Sequence, residues 1–427
     1  MTPGFGRGGG GRGGRSGSSV GEPGKGAPSL QAATGTGRGT GDPAPGARGA
    51  APAAASAAQG RGAPGRGGGG LGGGPTDNVY VLASDGFVRV LNPHNGSERA
   101  PAVQFVPANA KVSGITFVDG VLYATTSGSC GAVPNGVYAI DLDSEQKKPV
   151  LWRTNGPGVA GTGATFGIDG TVFVAIGADE TANVPAPETN GRTHASSIVA
   201  LEPRTLNVKD WFTAPNADFN ASPVVIRHKD RDLIVATAND GRLYVLDAAS
   251  LGGSDHKTPL HVTAKYTTAG VAAGVATWEA DGRRWIAAPV AGAPTGEMKF
   301  SANGLRPHGG IVAFTLNDLD GKVRLEPAWA SRDMTSPLTP VAFSGVVFAA
   351  ASGEHRAADA KMTSAQRARR SVPAVLYALD PATGKELWTS GKAMTSFARS
   401  GLSAAAGQVY VVTFDNTLYA FGIPMEH

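Results

Sequence analysis

A repeated segment limits most strongly what this chain can fold into. Its complete copy is the stretch ALDPATGKELW at positions 378–388. Weaker copies begin at residues 138, 199 and 312, and each leads to a tryptophan: Trp152, Trp211 and Trp329. Two further copies, at 90–96 and 245–247, keep the apolar stretch and the turn without the tryptophan, and residues 419–422 are the last stretch of this type. Segments that recur in this way are typical of architectures built from one repeated supersecondary unit.

The spacing of the copies predicts the size of that unit. Equivalent anchor positions span 330 residues in six intervals, a mean of 55: Asn92, Asp141, Glu202, Asp247, Thr315, Asp380 and Gly422. A unit of this length holds four short antiparallel strands, a to d. In the fourth unit we predict strands at 222–227, 232–237, 242–247 and 261–267, with a hairpin at 239–241 between b and c. The sequence therefore predicts an all-β chain, a β-propeller of four-stranded blades with about seven blade equivalents.

The complete copy contains turn-forming residues and one packing residue. Asp380 suits an Asx-type turn, and Gly384 suits a backbone position with positive φ. The tryptophan is expected to wedge between neighbouring blades, which predicts a structural, blade-docking girdle of Trp152, Trp211, Trp329 and Trp388. Loss of one such ring costs about 3–5 kcal/mol of unfolding free energy, and we predict this cost for Trp388→Ala.

The pattern Ala-x-Asp-x-x-Thr-Gly-x-x-x-Trp at 378–388 resembles the pyrroloquinoline quinone (PQQ) repeat of the quinoprotein alcohol dehydrogenases. Non-enzymatic propellers share this repeat, among them the outer-membrane assembly lipoprotein of Gram-negative bacteria. The resemblance extends over residues 78–422 and implies the quinoprotein-like propeller fold. Because one fold serves many functions, it does not by itself imply an activity.

The first 75 residues differ from the rest in composition. They contain 28 of the 62 glycines and a single aromatic residue, Phe5. Such a sequence buries too little apolar surface to fold, which predicts a disordered Gly/Arg/Ala/Pro-rich segment at 1–75 before a propeller domain at 76–427. Seven Arg and one Lys against Glu22 and Asp42 give this segment a net charge of +6; the whole chain carries +4, so the domain carries −2. The basic balance does not indicate a nucleic-acid groove on the domain, although RGG-like runs such as 6–9 leave an RNA-associated segment as an alternative.

The strand count predicts that both terminal blades are incomplete. The first unit begins with a b strand at 78–81 and the last ends after a c strand, which gives 26 strands where seven full blades have 28. Since closed propellers leave no open strand edges, we expect a chain truncated at its N-terminus, with eight blades in the full-length gene product. On that basis we expect a periplasmic or secreted bacterial protein. The chain as it stands shows no signal peptide and no apolar run long enough to span a membrane.

Four long insertions are predicted between strands b and c of their units, at 126–135, 178–196, 291–309 and 353–372. Because b–c and d–a connections emerge on one face of a propeller, these loops predict a binding surface for a protein or small-molecule ligand. The candidate ligand-binding residues are Arg192, His194, Arg306, His308 and His355, and the same loops contain Cys130, Lys299, Glu354 and Arg356. One interpretation is a cationic pocket for an anionic ligand; the other is a set of solvated loop residues. The spacing of the histidines does not predict a metal site.

The resemblance also implies what a catalytic member of the family would contain. The quinoprotein dehydrogenases clamp PQQ under a ring of adjacent cysteines and hold Ca²⁺ through a Glu/Asn/Asp set, whereas this chain has a single cysteine, Cys130. No segment matches those local motifs, so no catalytic residue is carried over. The sequence favours a non-catalytic scaffold and leaves a divergent PQQ-dependent dehydrogenase of alcohols or sugars, with PQQ and Ca²⁺, as the alternative.

Overall fold

The computed structural model describes residues 78–128, 133–178, 194–215, 217–269, 273–356, 362–405 and 407–422. Within these ranges the strands form seven sheets that follow one another along the chain. The predicted all-β propeller with seven blade equivalents is therefore confirmed. The low-complexity segment predicted at 1–75 lies outside the described residues, as do Cys130 and Arg192.

The first four sheets, or blades, have consecutive antiparallel strands. Blade 1 contains β1 (Val79–Leu82), β2 (Phe87–Leu91) and β3 (Glu98–Gln104). Blade 2 contains β4 (Val112–Val118), β5 (Val121–Thr126), β6 (Gly136–Asp141) and β7 (Val150–Arg153). Blade 3 contains β8 (Thr165–Phe166), β9 (Val172–Ile176), β10 (Ser197–Leu201) and β11 (Val208–Thr213). Blade 4 contains β12 (Val224–His228), β13 (Arg231–Thr237), β14 (Leu243–Asp247) and, after a short 3₁₀ turn at Gly253–Asp255, β15 (His261–Val262).

The last three blades include the one sheet that exceeds the repeat pattern. Blade 5 contains β16 (Ala276–Ala280), β17 (Arg283–Ala291), β18 (Ser301–Ala302), β19 (Gly309–Leu319) and β20 (Lys322–Ala330). Blade 6 contains β21 (Val341–Phe343), β22 (Val346–Ala351), the helix α1 (Ser364–Arg370), β23 (Val375–Leu379) and β24 (Glu386–Thr389). Blade 7 contains β25 (Ser403–Ala405), β26 (Gln408–Val412) and β27 (Leu418–Gly422).

The described residues form the 26 predicted blade strands, with b to d in blade 1 and a to c in blade 7. The additional strand β18 belongs to an insertion and pairs in parallel with the outer strand β20. The fourth d strand, β15, is shorter than predicted. Beyond it the chain keeps backbone hydrogen bonds to blade 4, from Thr263 to Leu243 and from Tyr266 to Gly241. It also contacts the insertion of blade 5, where the backbone N–H of Lys265 donates to Glu297 and Thr267 bridges to Pro294.

The pairing of strands c and d repeats a local irregularity. Its register shifts between Val90 and Leu91, Ala200 and Leu201, Ala313 and Phe314, and Ala378 and Leu379. Each shift lies just before the anchor position of its repeat, where an extra residue bends and twists the strand. In blade 2 the pairing of β6 with β7 shows no such shift, and Trp152 there pairs with Val137, nearer the start of the c strand.

Six hydrophobic clusters hold the blades together, and each joins two successive blades. Blades 5 and 6, for example, share a cluster with Ile311, Ala313, Trp329, Val347 and Leu379. The others join blades 1–2, 2–3, 3–4, 4–5 and 6–7. Because the central strands are packed on both faces, they are nearly continuous apolar sequences with little period-2 alternation. Among the described residues, no such cluster joins blade 7 to blade 1.

Candidate binding face

The long insertions connect strands b and c, as predicted. They lie between Thr126 and Gly136, Ile176 and Ser197, Ala291 and Gly309, and Ala351 and Val375. Since neighbouring strands of a blade are antiparallel, b–c and d–a connections leave the same end of each sheet. We call this end the b–c face. The c–d turns, which contain the repeat motif, lie at the opposite end.

The most organised polar group of this face lies in the b–c loop of blade 6. The side chain of Glu354 is only 8 % exposed. It accepts a hydrogen bond from Arg356 Nε and forms an ion pair with Arg399 Nε, each at 3.1 Å. Arg356 belongs to the same loop, whereas Arg399 belongs to the d–a connection between β24 and β25. A buried carboxylate therefore joins two connections of the face and fixes both guanidinium groups.

His355 and the helix α1 extend this group. The backbone N–H of His355 donates to Ser371 Oγ at 3.0 Å, and its carbonyl accepts from Arg367 Nη1 at 2.8 Å. The helix begins with a capping box in which Thr363 and Gln366 bond each other's backbone N–H groups. The His355 Nε2 atom is buried and has no hydrogen-bond partner among the described residues. The predicted residue His355 thus links the buried Glu354 to an exposed basic helix.

Arg306 and His308 lie together at the b–c end of blade 5. His308 donates its backbone N–H to Asp333 Oδ1 at 2.9 Å, and its Nδ1 lies 2.7 Å from Asp333 Oδ2. Burial acts to raise the pKa of Asp333, but the hydrogen bonds from His308 outweigh it, and the pKa lies below its usual value. Burial lowers the pKa of the Arg306 guanidinium, and the charge of Asp333 opposes this.

An open cleft of about 430 Å³ lies nearby, at the rim between blades 5 and 6. Its lining residues are Asn303, Leu305, Arg332, Asp333, Lys385 and Glu386. Arg332 pairs with Glu386 and lies over the ring of Tyr377, 4.9 Å from its centroid. Two of the four charged side chains of this cleft, Arg332 and Glu386, are thus paired with each other.

His194 has a different environment from the other candidate residues. It is buried, and its ring lies 5.6 Å from that of Trp152 and 5.8 Å from that of Trp211. His256, in the c–d connection of blade 4, stacks on the other side of this group, 3.7 Å from the Trp211 ring. This row of rings crosses three blades. Such packing is mainly structural, since aromatic pairs add contact energy to burial.

The candidate residues occupy three blades, each with its own set of neighbours: His194 in blade 3, Arg306 and His308 in blade 5, and His355 in blade 6. The described residues contain no group of three or more His, Cys, Asp or Glu side chains that could hold a metal ion.

Sequence reasoning missed four residues, and the position of two of them in the strand order was a signal. Arg399 lies in a d–a connection, which shares the b–c face by the same topology rule. Asp333 follows a d strand, at the same end of its blade. Trp278 and Trp285 lie outside the repeat motif, yet their rings stack at 5.8 Å beside Trp329 in the interface between blades 5 and 6.

The four motif tryptophans are not equivalent. Trp329 is 1 % exposed, and its Nε1 donates to the carbonyl of Pro381 in the next blade at 2.9 Å. A Cβ on Gly384 would lie 2.2 Å from the Trp329 ring, so the ring rests directly on this glycine. Trp388, from the complete motif copy, is 45 % exposed and has Phe421 as its ring neighbour at 5.7 Å. Trp388 thus contacts the next blade through Phe421, but its ring is far less buried than that of Trp329.

The comparisons with known proteins agree with this architecture. Residues 329–423 match the family model described as "PQQ_2: Outer membrane protein assembly factor BamB". The fold is similar to that of quinohemoprotein alcohol dehydrogenase from Comamonas testosteroni, with a TM-score of 0.50 and 16 % identity over 79 % of this chain; the chain spans 61 % of that enzyme, less than two thirds of its length. BamB from Moraxella catarrhalis is similar with a TM-score of 0.49 and 13 % identity, over 82 % of this chain and 81 % of BamB.

No curated protein matches the chain significantly in sequence. Among the described residues, no helix has the length and apolar character needed to cross a bilayer. The seven successive sheets show a β-propeller, and residues 329–423, which include the repeat motif at 378–388, match the PQQ-repeat family model.

Proposed function

We propose that this protein is a non-catalytic PQQ-repeat propeller that binds a protein or small ligand through its b–c face. The observation that supports it is the organisation of this face in blade 6. Long connections are concentrated at one end of the blades, and a buried carboxylate, Glu354, joins two of them. Elaborated loops on a rigid scaffold are typical of binding surfaces.

The competing function is a divergent PQQ-dependent dehydrogenase. The fold alone is compatible with it, because enzymes and scaffolds share this propeller. The described residues contain no group of three or more His, Cys, Asp or Glu side chains that could hold a metal ion, and the single Cys130 of the chain cannot form a ring of adjacent cysteines. The family model that matches residues 329–423 is described as an outer membrane protein assembly factor. It supports a scaffold role and a periplasmic location.

Titration of the purified full chain with PQQ and Ca²⁺, followed by a dye-coupled alcohol oxidation assay, separates the two functions. We expect neither a saturable change in tryptophan fluorescence on addition of PQQ nor turnover of alcohols. Saturable PQQ binding with Ca²⁺-dependent turnover would contradict the proposed function.

A further inference from the structure

We propose that the b–c face of blade 6 docks an acidic peptide segment of a partner protein. The surface consists of Arg356, Arg399, Arg369 and Arg370, and we call it the basic surface. This inference rests on the proposed binding role of the b–c face and names the chemistry of the partner.

The first argument is the way in which Glu354 holds two of the arginines. Arg356 and Arg399 both bind the buried carboxylate through Nε. A guanidinium group has five N–H donors, so each arginine keeps terminal N–H groups for another acceptor. Their side chains are 33 % and 55 % exposed, which leaves these donors accessible. Preorganised guanidinium groups favour bidentate binding of a carboxylate.

The second argument is the local excess of positive charge. The described residues 352–356 and 362–374 contain four basic side chains, Arg356, Arg367, Arg369 and Arg370, against Glu354, a net charge of +3 that Arg399 raises to +4. The domain as a whole carries −2 by the count of residues 76–427. The basic surface is therefore a positive patch on a negative domain, which steers an acidic partner to this position.

The third argument concerns the extent of the surface. Arg369 and Arg370 are exposed at the end of α1, and Arg367 attaches this helix to His355 beside Glu354. Ser371, directly after Arg370, accepts from the backbone N–H of His355, so Arg369 and Arg370 lie at the end of α1 that is joined to the Glu354 group. Four guanidinium groups gathered in one region favour a ligand with several carboxylates over a single small anion.

The loop composition distinguishes a peptide from a nucleic acid. Residues 352–374 contain no Phe, Tyr or Trp. Single-stranded nucleic acids gain much of their affinity from bases that stack on aromatic side chains. A surface with guanidinium groups and no aromatic platform fits carboxylates better.

Fluorescence anisotropy with a fluorescein-labelled peptide of alternating Glu and Ser tests this, with the Gln–Ser peptide and a single-stranded RNA as comparison ligands. We expect saturable binding of the Glu peptide that weakens with salt. Arg369→Gln/Arg370→Gln should weaken it about fivefold to tenfold, the effect of two exposed charge pairs. The matched control is Lys148→Ala/Lys322→Ala, which removes two exposed lysines from the c–d end of blades 2 and 5 and should leave the affinity unchanged.

Glu354→Gln separates the organised site from simple charge attraction. This variant makes the surface more positive, so attraction by net charge alone predicts tighter binding. Loss of the carboxylate that fixes Arg356 and Arg399 predicts weaker binding, and we expect the affinity to fall by about threefold or more. A melting curve of each variant confirms that it is folded.

Three results would overturn the inference. They are the absence of Glu-peptide binding, an equal loss in the lysine control, and RNA binding tighter than peptide binding. If the Glu peptide does not bind and PQQ-dependent alcohol oxidation is also absent, the acidic-peptide inference fails but the proposed scaffold role stands. PQQ-dependent alcohol oxidation would instead contradict the non-catalytic scaffold role, whether or not the peptide binds.

Discussion

The c–d turn and the b–c loop of blade 6 lie at opposite ends of the same sheet and differ in chemistry. In the turn, Asp380 accepts from the backbone N–H groups of Ala382 and Thr383, and Gly384 receives the apolar ring of Trp329. In the loop, Glu354 joins two arginines, and a basic helix follows. The turn belongs to the repeat and serves the neighbouring blade, whereas the loop is an insertion with solvent-facing charge. The repeat therefore carries stability, and we assign binding to the insertion.

The largest expected effect is that of Trp329→Ala. The ring is fully buried, and its Nε1 donates across the interface to Pro381. Its loss should lower the free energy of unfolding by about 3–5 kcal/mol, measured by urea denaturation. Binding of the Glu peptide by the folded fraction should not change. An unchanged urea midpoint would show that the turn does not hold blades 5 and 6 together.

A somewhat smaller effect is expected for Gly384→Ala. This residue has φ of +68°, and an added Cβ would meet the Trp329 ring. Strain of the backbone and overpacking together should cost about 2–4 kcal/mol. The double variant with Trp329→Ala should lose less than the sum of the two single variants, because the ring that clashes is gone. Strict additivity would contradict the direct contact.

Trp388→Ala should have a smaller effect than Trp329→Ala. Since Trp388 is 45 % exposed, we expect a loss of about 1–2 kcal/mol instead of the 3–5 kcal/mol that its motif predicts. The two variants form a matched pair, with the same substitution at the same motif position in adjacent blades. Equal losses would show that the motif, not the receiving turn, determines the contribution of the ring.

This pair shows how far the sequence predicts the fold. The repeat predicted the blades, the strand order and the place of the b–c insertions, because apolar stretches and turn residues act locally. It did not predict that the complete motif at 378–388 would mainly receive a neighbour's ring through Gly384. Burial of a tryptophan depends on the blade that follows, and the residues of one motif do not encode that environment.

The candidate site was less predictable than the fold, for a related reason. The composition identified the charged loops. It could not predict that Glu354 pairs with Arg399, because these residues belong to two different connections. Sequence spacing does not reveal such contacts between loops. His194 shows the opposite error, since a residue singled out for its chemistry is packed between two tryptophan rings.

The smallest expected effect is on the pH dependence of the melting temperature, through Asp380 in the c–d turn of blade 6. The hydrogen bond from the Thr383 hydroxyl, with those from the backbone N–H groups, lowers the pKa of Asp380 below its usual value. A carboxyl whose pKa is lower in the folded state stabilises the protein above its unfolded pKa, about 3.9. That stability is lost as the pH falls through the folded pKa. Asp380→Asn should therefore reduce the fall in melting temperature below about pH 4, and an unchanged pH profile would contradict it.

We assign stability to the c–d turn and binding to the b–c loop. The most direct test compares the affinity of two variants for the Glu peptide, Gly384→Ala in the turn and Arg399→Ala beside the loop. Both are measured in one anisotropy assay at a temperature where each variant is folded. Arg399→Ala leaves Glu354 paired with Arg356, so its melting temperature should change little. We predict that Arg399→Ala weakens the affinity about threefold or more while Gly384→Ala leaves it unchanged. Equal affinities for the two variants, or a greater loss in Gly384→Ala, would contradict the assignment of binding to the loop.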